Sequence, residues 1–254
     1  AIEYKGANID ETPVISACSG WCGGANSGNY PSMERVDPDT VGTNSTNWGS
    51  NNEAIKNGKN ADNLAIYGTP GKRNSLNYLI TTGTTLSSSK TLTKSKSPYL
   101  VKDGLTINSG VTLTINPGVV IKFYDTASQI TTSGAIKANG TSQDKIIFTS
   151  FKDDSYGGDL NNDGSLTSAQ YGDWKIISLD GSGSEFDQTI IRYGGKNSSS
   201  GWANLKVKNT SATIKNSTIE ESNAYCLWLD SATGTIDCNT IRNNTHDSAA
   251  VGIY

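Results

Sequence analysis

Histidine, methionine, charge and long apolar runs are all scarce in this sequence. It contains one His and one Met, and only 18% of its residues are charged. Because no apolar stretch approaches the roughly 18 residues of a transmembrane helix, we expect no membrane span in this segment. The formal net charge is −3, so the sequence lacks the excess of positive charge that binds phosphates, and a nucleic-acid partner is not expected. His246 belongs to no Cys/His cluster and lies near no nucleophile elbow, which argues against a zinc site and a catalytic triad.

The abundant residues favour β-structure and turns. The sequence has 27 Gly, it is rich in Thr, Ser and Asn, and strong helix formers are few. Short runs of Val, Ile, Leu and Phe recur along most of the chain, which argues against disorder. We therefore predict an all-β fold with many turns. The start at Ala1 and the strand-like end Val251–Tyr254 are expected to be cuts in a longer polypeptide.

The four cysteines form two local pairs, Cys18/Cys22 and Cys226/Cys238. Such pairs in a Gly-, Thr- and Asn-rich chain suit two short-loop disulfides in an oxidising compartment. We predict both disulfides, with free buried thiols as the alternative. The expected location is therefore extracellular or on the cell surface.

A repeat of 22 residues is visible in the C-terminal part of the chain. The segment Thr213–Ile219 recurs as Thr235–Ile241, and a second series runs through Leu205–Val207, Leu227–Leu229 and Val251–Ile253. This period, with two strands per repeat, suits one coil of a parallel β-helix. In such a coil the Ile residues stack inward, and Asn residues at the turns bond from coil to coil. A leucine-rich repeat has a similar period, but its leucine consensus is missing.

Several short motifs between Ser97 and Gly195 resemble the bacterial surface-type right-handed parallel β-helix family. The motifs are Thr112–Gly118, Gly140-Thr141, Phe148–Ser150, Gly172–Trp174 and Ile191–Gly195. The resemblance implies a right-handed parallel β-helix, which we place at residues 76–254. It implies little about function, because members of the family use the same rod for different purposes.

Residues 1–75 differ from the rest, with Gly- and Asn-rich loops and aromatic anchors. Ser32–Arg35, Asn47-Trp48 and Gly68–Gly71 follow one another in an order and spacing that resembles the C-terminal half of a lamin-tail domain. The resemblance implies part of an immunoglobulin-like β-sandwich. From its residues alone, the segment is a loop-rich β module pinned by aromatic side chains and one disulfide.

An acidic insertion at residues 153–173 interrupts the strand pattern. Three oxygen-bearing side chains have the 1, 3, 5 spacing of an EF-hand-type calcium loop, and the Gly that its sharp turn needs follows them. Gln170 replaces the bidentate Glu, so a further aspartate must complete the shell. The predicted calcium ligands are Asp159, Asn161, Asp163 and Ser165, completed from Asp153, Asp154 and Asp173. The alternative is a solvated acidic turn; we favour Ca²⁺ because crowded carboxylates repel one another unless a cation lies between them.

These observations favour a structural or adhesive surface protein, a calcium-stabilised β-helical rod that self-associates or binds a cell-surface glycan. No catalytic residue is predicted, because the aspartates lie in one loop rather than on successive coils that could fix their spacing. One alternative is a polysaccharide lyase or glycosidase that uses Arg192 or Lys175. The other is a glycan-binding module. Its sugar-stacking aromatics would be Trp202, Trp228, Tyr193 and Tyr225.

Overall fold

The computed structural model describes residues 29–81, 83–196 and 202–245, together with residues 2–4, 7–10, 12, 18, 20 and 22–24. The chain divides into two units, Ala1–Thr82 and Gly83–Tyr254. Ser75, at the predicted boundary, belongs to the first unit, where it is fully buried. The described helical segments are the short 3₁₀ turns Ser45–Asn47, Ser75–Tyr78 and Lys94–Lys96. Within the described residues, no helix has the length and apolar character needed to cross a membrane.

The first unit has short strands between long loops. The strands β1 (Ile2–Tyr4) and β2 (Ala7–Asp10) pair antiparallel, as do β3 (Met33–Arg35) and β4 (Trp48–Ser50). Cys18 and Cys22 form the predicted disulfide, with Cα atoms 5.0 Å apart. The lamin-tail-like character of this unit stays a prediction.

A buried carboxylate organises the interior of the first unit. Glu34, in β3, is 3% exposed. Its side chain accepts hydrogen bonds from the backbone N–H and hydroxyl of Ser75 at 2.7 and 2.6 Å. It also accepts from Asn51 Nδ2 at 2.8 Å and from Thr69 Oγ1 at 3.0 Å. Loops that are distant in sequence are therefore held on one charged group, because an ionised acceptor forms stronger hydrogen bonds than a neutral one.

The second unit is a right-handed parallel β-helix with three sheets of six strands. Sheet 1 contains β5 (Thr85–Leu86), β8 (Leu105–Ile107), β11 (Gln129–Thr132), β14 (Ile176–Leu179), β17 (Ala203–Lys208) and β20 (Tyr225–Asp230). Sheet 2 contains β6 (Lys90–Leu92), β9 (Thr112–Ile115), β12 (Ala135–Asn139), β15 (Ser184–Asp187), β18 (Ser211–Lys215) and β21 (Thr233–Asp237). Sheet 3 contains β7 (Tyr99–Val101), β10 (Val120–Phe123), β13 (Ile146–Ser150), β16 (Thr189–Arg192), β19 (Thr218–Ser222) and β22 (Thr240–Asn244). The predicted β-helix is confirmed, but each coil has three strands rather than two.

Apolar side chains form continuous columns inside this solenoid. In sheet 2 the register stacks Leu92, Ile115, Ala138, Phe186, Ile214 and Ile236 on successive coils. The first five are at most 1% exposed, whereas Ile236 is 36% exposed. Burying an aliphatic or aromatic side chain contributes about 1.5–3 kcal/mol, so these columns are the main source of stability. The predicted stacking of Ile214 on Ile236 is confirmed; the predicted strand Val251–Ile253 lies outside the described residues.

The corners of the coils carry residues in the left-handed backbone conformation. Gln188, Asn216 and Cys238 follow the strands of sheet 2 on successive coils, with φ of 52°, 48° and 53°. Among residues other than Gly, Asn adopts this conformation most readily. Asn239, next to this column, donates through Nδ2 to the carbonyl of Ile214 in the preceding coil at 2.8 Å. The expected coil-to-coil bonding by turn asparagines is therefore confirmed.

The second predicted disulfide is wrong, because Cys226 and Cys238 are both free. Cys226 lies in β20, faces the interior and donates through Sγ to the carbonyl of Arg242 at 3.2 Å. Cys238 is exposed at the corner between sheets 2 and 3. Although the two are close in sequence, the strand β21 carries the chain to another side of the coil between them. Burial raises the pKa of Cys226 to about 12, so it stays a thiol at neutral pH.

Candidate metal centre

Long loops collect at one corner of the solenoid, between sheets 3 and 1. Residues 151–175 connect β13 to β14, and residues 193–202 connect β16 to β17 on the next coil. One coil later, only residues 223–224 turn the same corner. A backbone hydrogen bond of 3.2 Å from Gly172 to Gly194 joins the two long loops. In repeat proteins, loops inserted at one face often carry the function.

Trp174 anchors the acidic insertion to the solenoid. Its ring is fully buried and stacks on Phe123, with centroids 4.1 Å apart and planes at 11°. Its indole N–H donates to the carbonyl of Arg192 at 2.9 Å. A Cβ on Gly194 would lie 2.7 Å from the indole ring, which explains the glycine there. The motifs that carry the family resemblance around residues 172–174 and 191–195 therefore hold the two loops in place.

Three carboxylates converge within the insertion. Oxygen atoms of Asp154, Asp159 and Asp163 lie within 4.8 Å of one another. The backbone shapes this cluster, since Asp159 accepts from the N–H groups of Asp163 and Gly164 at 3.1 and 2.8 Å. Asp154 and Asn161 each have a buried Oδ1 that accepts no hydrogen bond within the described structure. The unpartnered oxygens of Asp154 and Asn161 are hard ligands of the kind that Ca²⁺ binds, whereas Asp163 accepts from Asn161 Nδ2 at 2.7 Å. The calcium site stays a prediction.

The other predicted ligands lie outside this cluster. Asp173 accepts from Ser150 Oγ at 2.7 Å and forms an ion pair of 2.8 Å with Lys152. Asp153 is 3% exposed and accepts from the Thr149 hydroxyl. Ser165 lies exposed on the same loop. Of the three aspartates considered for completing the shell, the fold therefore brings Asp154 to the cluster, while Asp153 and Asp173 fasten the insertion to β13.

A buried lysine lies beneath the acidic insertion, and the sequence analysis missed it. Lys122, in β10, is fully buried and donates through Nζ to the carbonyls of Asp153 and Gly158 at 2.9 and 2.6 Å. Burial lowers the pKa of Lys122, against the attraction of Asp153, Asp154 and Asp159. Burial and the neighbouring Asp159 carboxylate raise the pKa of Asp154, against the attraction of Lys122. The Lys122 ammonium is thus one positive charge beside the three carboxylates of the cluster.

Charged residues also alternate along the outer face of sheet 3. The register pairs Arg192 with Glu220, and Glu220 with Arg242. Arg242 NH2 lies 2.7 Å from Glu220, and Arg192 NH2 lies 3.2 Å from Glu221. Arg192 Nε is 3.8 Å from Asp153. In the sequence, each of these charged residues occupies an outward position of its strand. Outward polar residues are expected in any strand that alternates with apolar ones, so they did not stand out as a set.

Two of the four aromatic residues considered for sugar stacking contact each other in sheet 1, where the ring centroids of Tyr225 and Trp228 lie 5.7 Å apart. The backbone N–H of Tyr225 donates to the carbonyl of Trp202 at 3.3 Å. Tyr193 lies next to sheet 3, with the Arg192 guanidinium 4.3 Å from its ring centroid, and burial raises its pKa to about 12. Trp228 lies in sheet 1, where Lys206 Nζ covers its ring at 3.8 Å. Lys175 Nζ lies 4.7 Å from the ring centroid of Trp202.

Comparison with known proteins agrees with this architecture. Protein bark beetle of Drosophila melanogaster is 35% identical over 82 residues, which is 32% of this chain and 3% of that protein. The chain therefore spans a small fraction of that relative. No solved structure matches. Residues 83–237 match the family model described as a pectate-lyase like beta helix domain. Since that match covers more than half of the sequence, the chain belongs to the pectate-lyase-like β-helix family.

Proposed function

We propose that this chain is a calcium-stabilised β-helical part of an extracellular structural or adhesive protein. The observation that supports this most is the cluster of Asp154, Asp159 and Asp163, with the buried, unpartnered oxygens of Asp154 and Asn161. A calcium ion there ties the insertion together on a rigid support. The disulfide between Cys18 and Cys22 supports an oxidising location.

The burial of Lys122, Asp153 and Glu220 favours a structural role over catalysis. A general base must reach substrate, yet Lys122 is fully buried and Asp153 is 3% exposed. The Glu220 side chain is 8% exposed and paired with Arg242. In this proposal the charges fasten the insertion to the coils. The partner is then another copy of the protein or a surface glycan.

A calcium titration followed by thermal and urea unfolding tests the proposal. We expect Ca²⁺ to stabilise the wild type by roughly 2.7 kcal/mol when free calcium is about 100 times Kd. Asp159→Ala/Asp163→Ala should lose this gain. The matched control, Asp180→Ala/Asp237→Ala, removes two exposed aspartates elsewhere on the solenoid and should keep it. Equal behaviour of wild type and both double variants would rule out a metal site in the insertion.

A carbohydrate-active enzyme is the second candidate, because a basic residue lies near the acidic cluster. Arg192 Nε lies 3.8 Å from Asp153, which directly precedes Asp154 of the cluster. A lyase assay on polygalacturonate with Ca²⁺, followed by the ultraviolet absorbance of the unsaturated product, separates the two candidates. We expect no turnover. Turnover that Arg192→Lys abolishes while the protein stays folded would establish the enzyme instead.

A further inference from the structure

The first unit contains a cavity of about 490 Å³. Its volume falls in the range of small-molecule sites, about 300–1,000 Å³. One part of its lining is apolar and aromatic, formed by Tyr30, Ile66, Tyr67 and Pro70. The lining also carries hydroxyl and amide groups, from Ser32, Thr69 and Asn74, and it includes Glu34. The lining is therefore amphipathic, since it combines apolar surface with neutral hydrogen-bonding groups.

Glu34 determines how the hydroxyl groups face the cavity. The Thr69 hydroxyl donates to Glu34 Oε1 at 3.0 Å, and the Ser32 hydroxyl lies 3.5 Å from the same atom. Because the Thr69 hydroxyl donates its hydrogen bond to the carboxylate, the hydroxyl oxygen is left to accept a hydrogen bond from a ligand. The amide of Asn74 is fixed by its donation to the carbonyl of Arg35 at 3.2 Å. These groups are held in position before any ligand binds.

Tyr30 is an unusual residue at the edge of this cavity. It is 72% exposed, although it is a large aromatic side chain. Its φ is 45°, in the left-handed region that a bulky residue rarely adopts. A strained backbone that holds an aromatic ring in solvent beside a cavity suggests a binding role for that ring. Tyr67 is less available, since Lys56 Nζ lies 3.9 Å from its ring centroid.

The charge of the lining restricts the class of ligand. Among the described residues that line the cavity, the charged side chain is Glu34, and no Lys or Arg is present. An anion such as a phosphate or a uronic acid would meet the buried Glu34 carboxylate, while the Lys56 ammonium lies outside the lining, over the Tyr67 ring. A cation would gain little binding energy from Glu34, because that carboxylate already accepts hydrogen bonds from Ser75, Asn51 and Thr69. A pyranose ring has an apolar face and a rim of neutral hydroxyls, which matches both parts of the lining.

We propose that this cavity binds one neutral pyranose unit of a glycan, with its apolar face on Tyr30 and its hydroxyls bonded to Ser32 and Thr69. This inference is independent of the calcium proposal. The probes are the methyl glycosides of glucose, galactose and N-acetylglucosamine, with galacturonate as the charged comparison. Binding to the full chain is measured by saturation-transfer NMR and calorimetry in a chelating buffer, so that a metal in the insertion cannot contribute.

We expect a neutral glycoside to bind, and Tyr30→Ala to weaken binding about two- to thirteenfold, since an aromatic contact contributes about 0.5–1.5 kcal/mol. Tyr30→Phe should retain binding because the ring is kept. Tyr171→Ala is the matched control, because Tyr171 is also exposed, at 42%, but lies in the acidic insertion. Binding of none of the neutral glycosides, equal binding by Tyr30→Ala, or tighter binding of galacturonate would each overturn the proposal.

Discussion

The two units of this chain differ in the side chains that organise their interiors. In the first unit a charged group, Glu34, lies in the interior with Asn51, Asn52, Thr69 and Ser75. In the solenoid the interior is made of Ile, Leu, Val and Phe columns that are almost fully buried. The loop-rich unit has few strands to satisfy its backbone, so side chains supply the missing hydrogen bonds. In the solenoid each strand is bonded to its neighbours and the interior can be apolar.

This difference determines how each unit should respond to substitution. The loss of one side chain from an apolar column leaves a cavity whose cost depends on its volume. The loss of one member of a polar network leaves several buried partners without hydrogen bonds. The predictions below test whether substitutions destabilise the solenoid by leaving a cavity and the first unit by leaving buried groups without hydrogen bonds.

The largest effect should come from Phe186→Ala in the solenoid. Phe186 is fully buried and its ring centroid lies 5.8 Å from that of Phe148. We expect a loss of about 3–5 kcal/mol in the free energy of unfolding, measured by urea denaturation. Thr213→Ala, on the outward face of the neighbouring strand, should cost less than about 0.5 kcal/mol. If the two variants lose similar amounts of unfolding free energy, the apolar columns are not the main source of stability.

A smaller but more local effect is expected for Glu34→Gln in the first unit. The substitution preserves shape, removes the charge and turns an amide N–H₂ group toward groups that donate. We expect a loss of roughly 2–3 kcal/mol, with faster hydrogen exchange in peptides from residues 29–81. Glu53→Gln is the control, since Glu53 is exposed and accepts from Asn29 at 3.3 Å. If exchange is unchanged in Glu34→Gln, the polar network does not hold this unit together.

The smallest effect should be a pH dependence that comes from Asp154. Its Oδ1 accepts no hydrogen bond within the described structure, and burial and the neighbouring Asp159 raise the pKa of Asp154. The folded insertion therefore holds the Asp154 proton more tightly than the unfolded chain does. In chelating buffer this stabilisation is fully present below the unfolded pKa of about 3.9 and is lost as pH rises through the folded pKa.

Urea denaturation at several pH values, with and without calcium, measures this contribution. Asp154→Asn should remove it, because an amide does not titrate. With calcium present, the wild type should no longer lose stability over this range, since the ion binds the ionised form. A wild type and an Asp154→Asn variant with parallel pH profiles in chelator would refute the role given to Asp154.

Much of the solenoid was predictable because its signal is local and repeated. The spacing between Ile214 and Ile236 is one complete coil, and the register confirms that the two stack. The number of strands per coil was underestimated, because the segment Thr213–Ile219 was interpreted as one strand, whereas it contains the corner between β18 and β19. The pairing of Cys226 with Cys238 failed for a related reason. Separation along the chain does not say on which side of the coil a residue lies.

The candidate site was predictable in composition but not in geometry. The spacing of Asp159, Asn161 and Asp163 indicated an oxygen-rich loop, and the structure places carboxylates of Asp159 and Asp163 together. The choice of Asp154 over its neighbour Asp153 depends on how the insertion folds back over β10. Lys122 gave no distinct signal, because a lysine between Ile and Phe in a strand is normally a solvent-facing residue.

The column of left-handed corner residues has a consequence for how such a chain can change in length. Gln188, Asn216 and Cys238 place the same backbone kink at the same corner of successive coils. Copying or removing one whole repeat leaves every kink at a corner and every inward side chain in its column. A gain or loss of a single residue within a strand would instead turn its inward side chains toward solvent. The architecture thus permits the solenoid to lengthen or shorten by whole coils. Its length can therefore change during evolution while the packing of its interior stays the same.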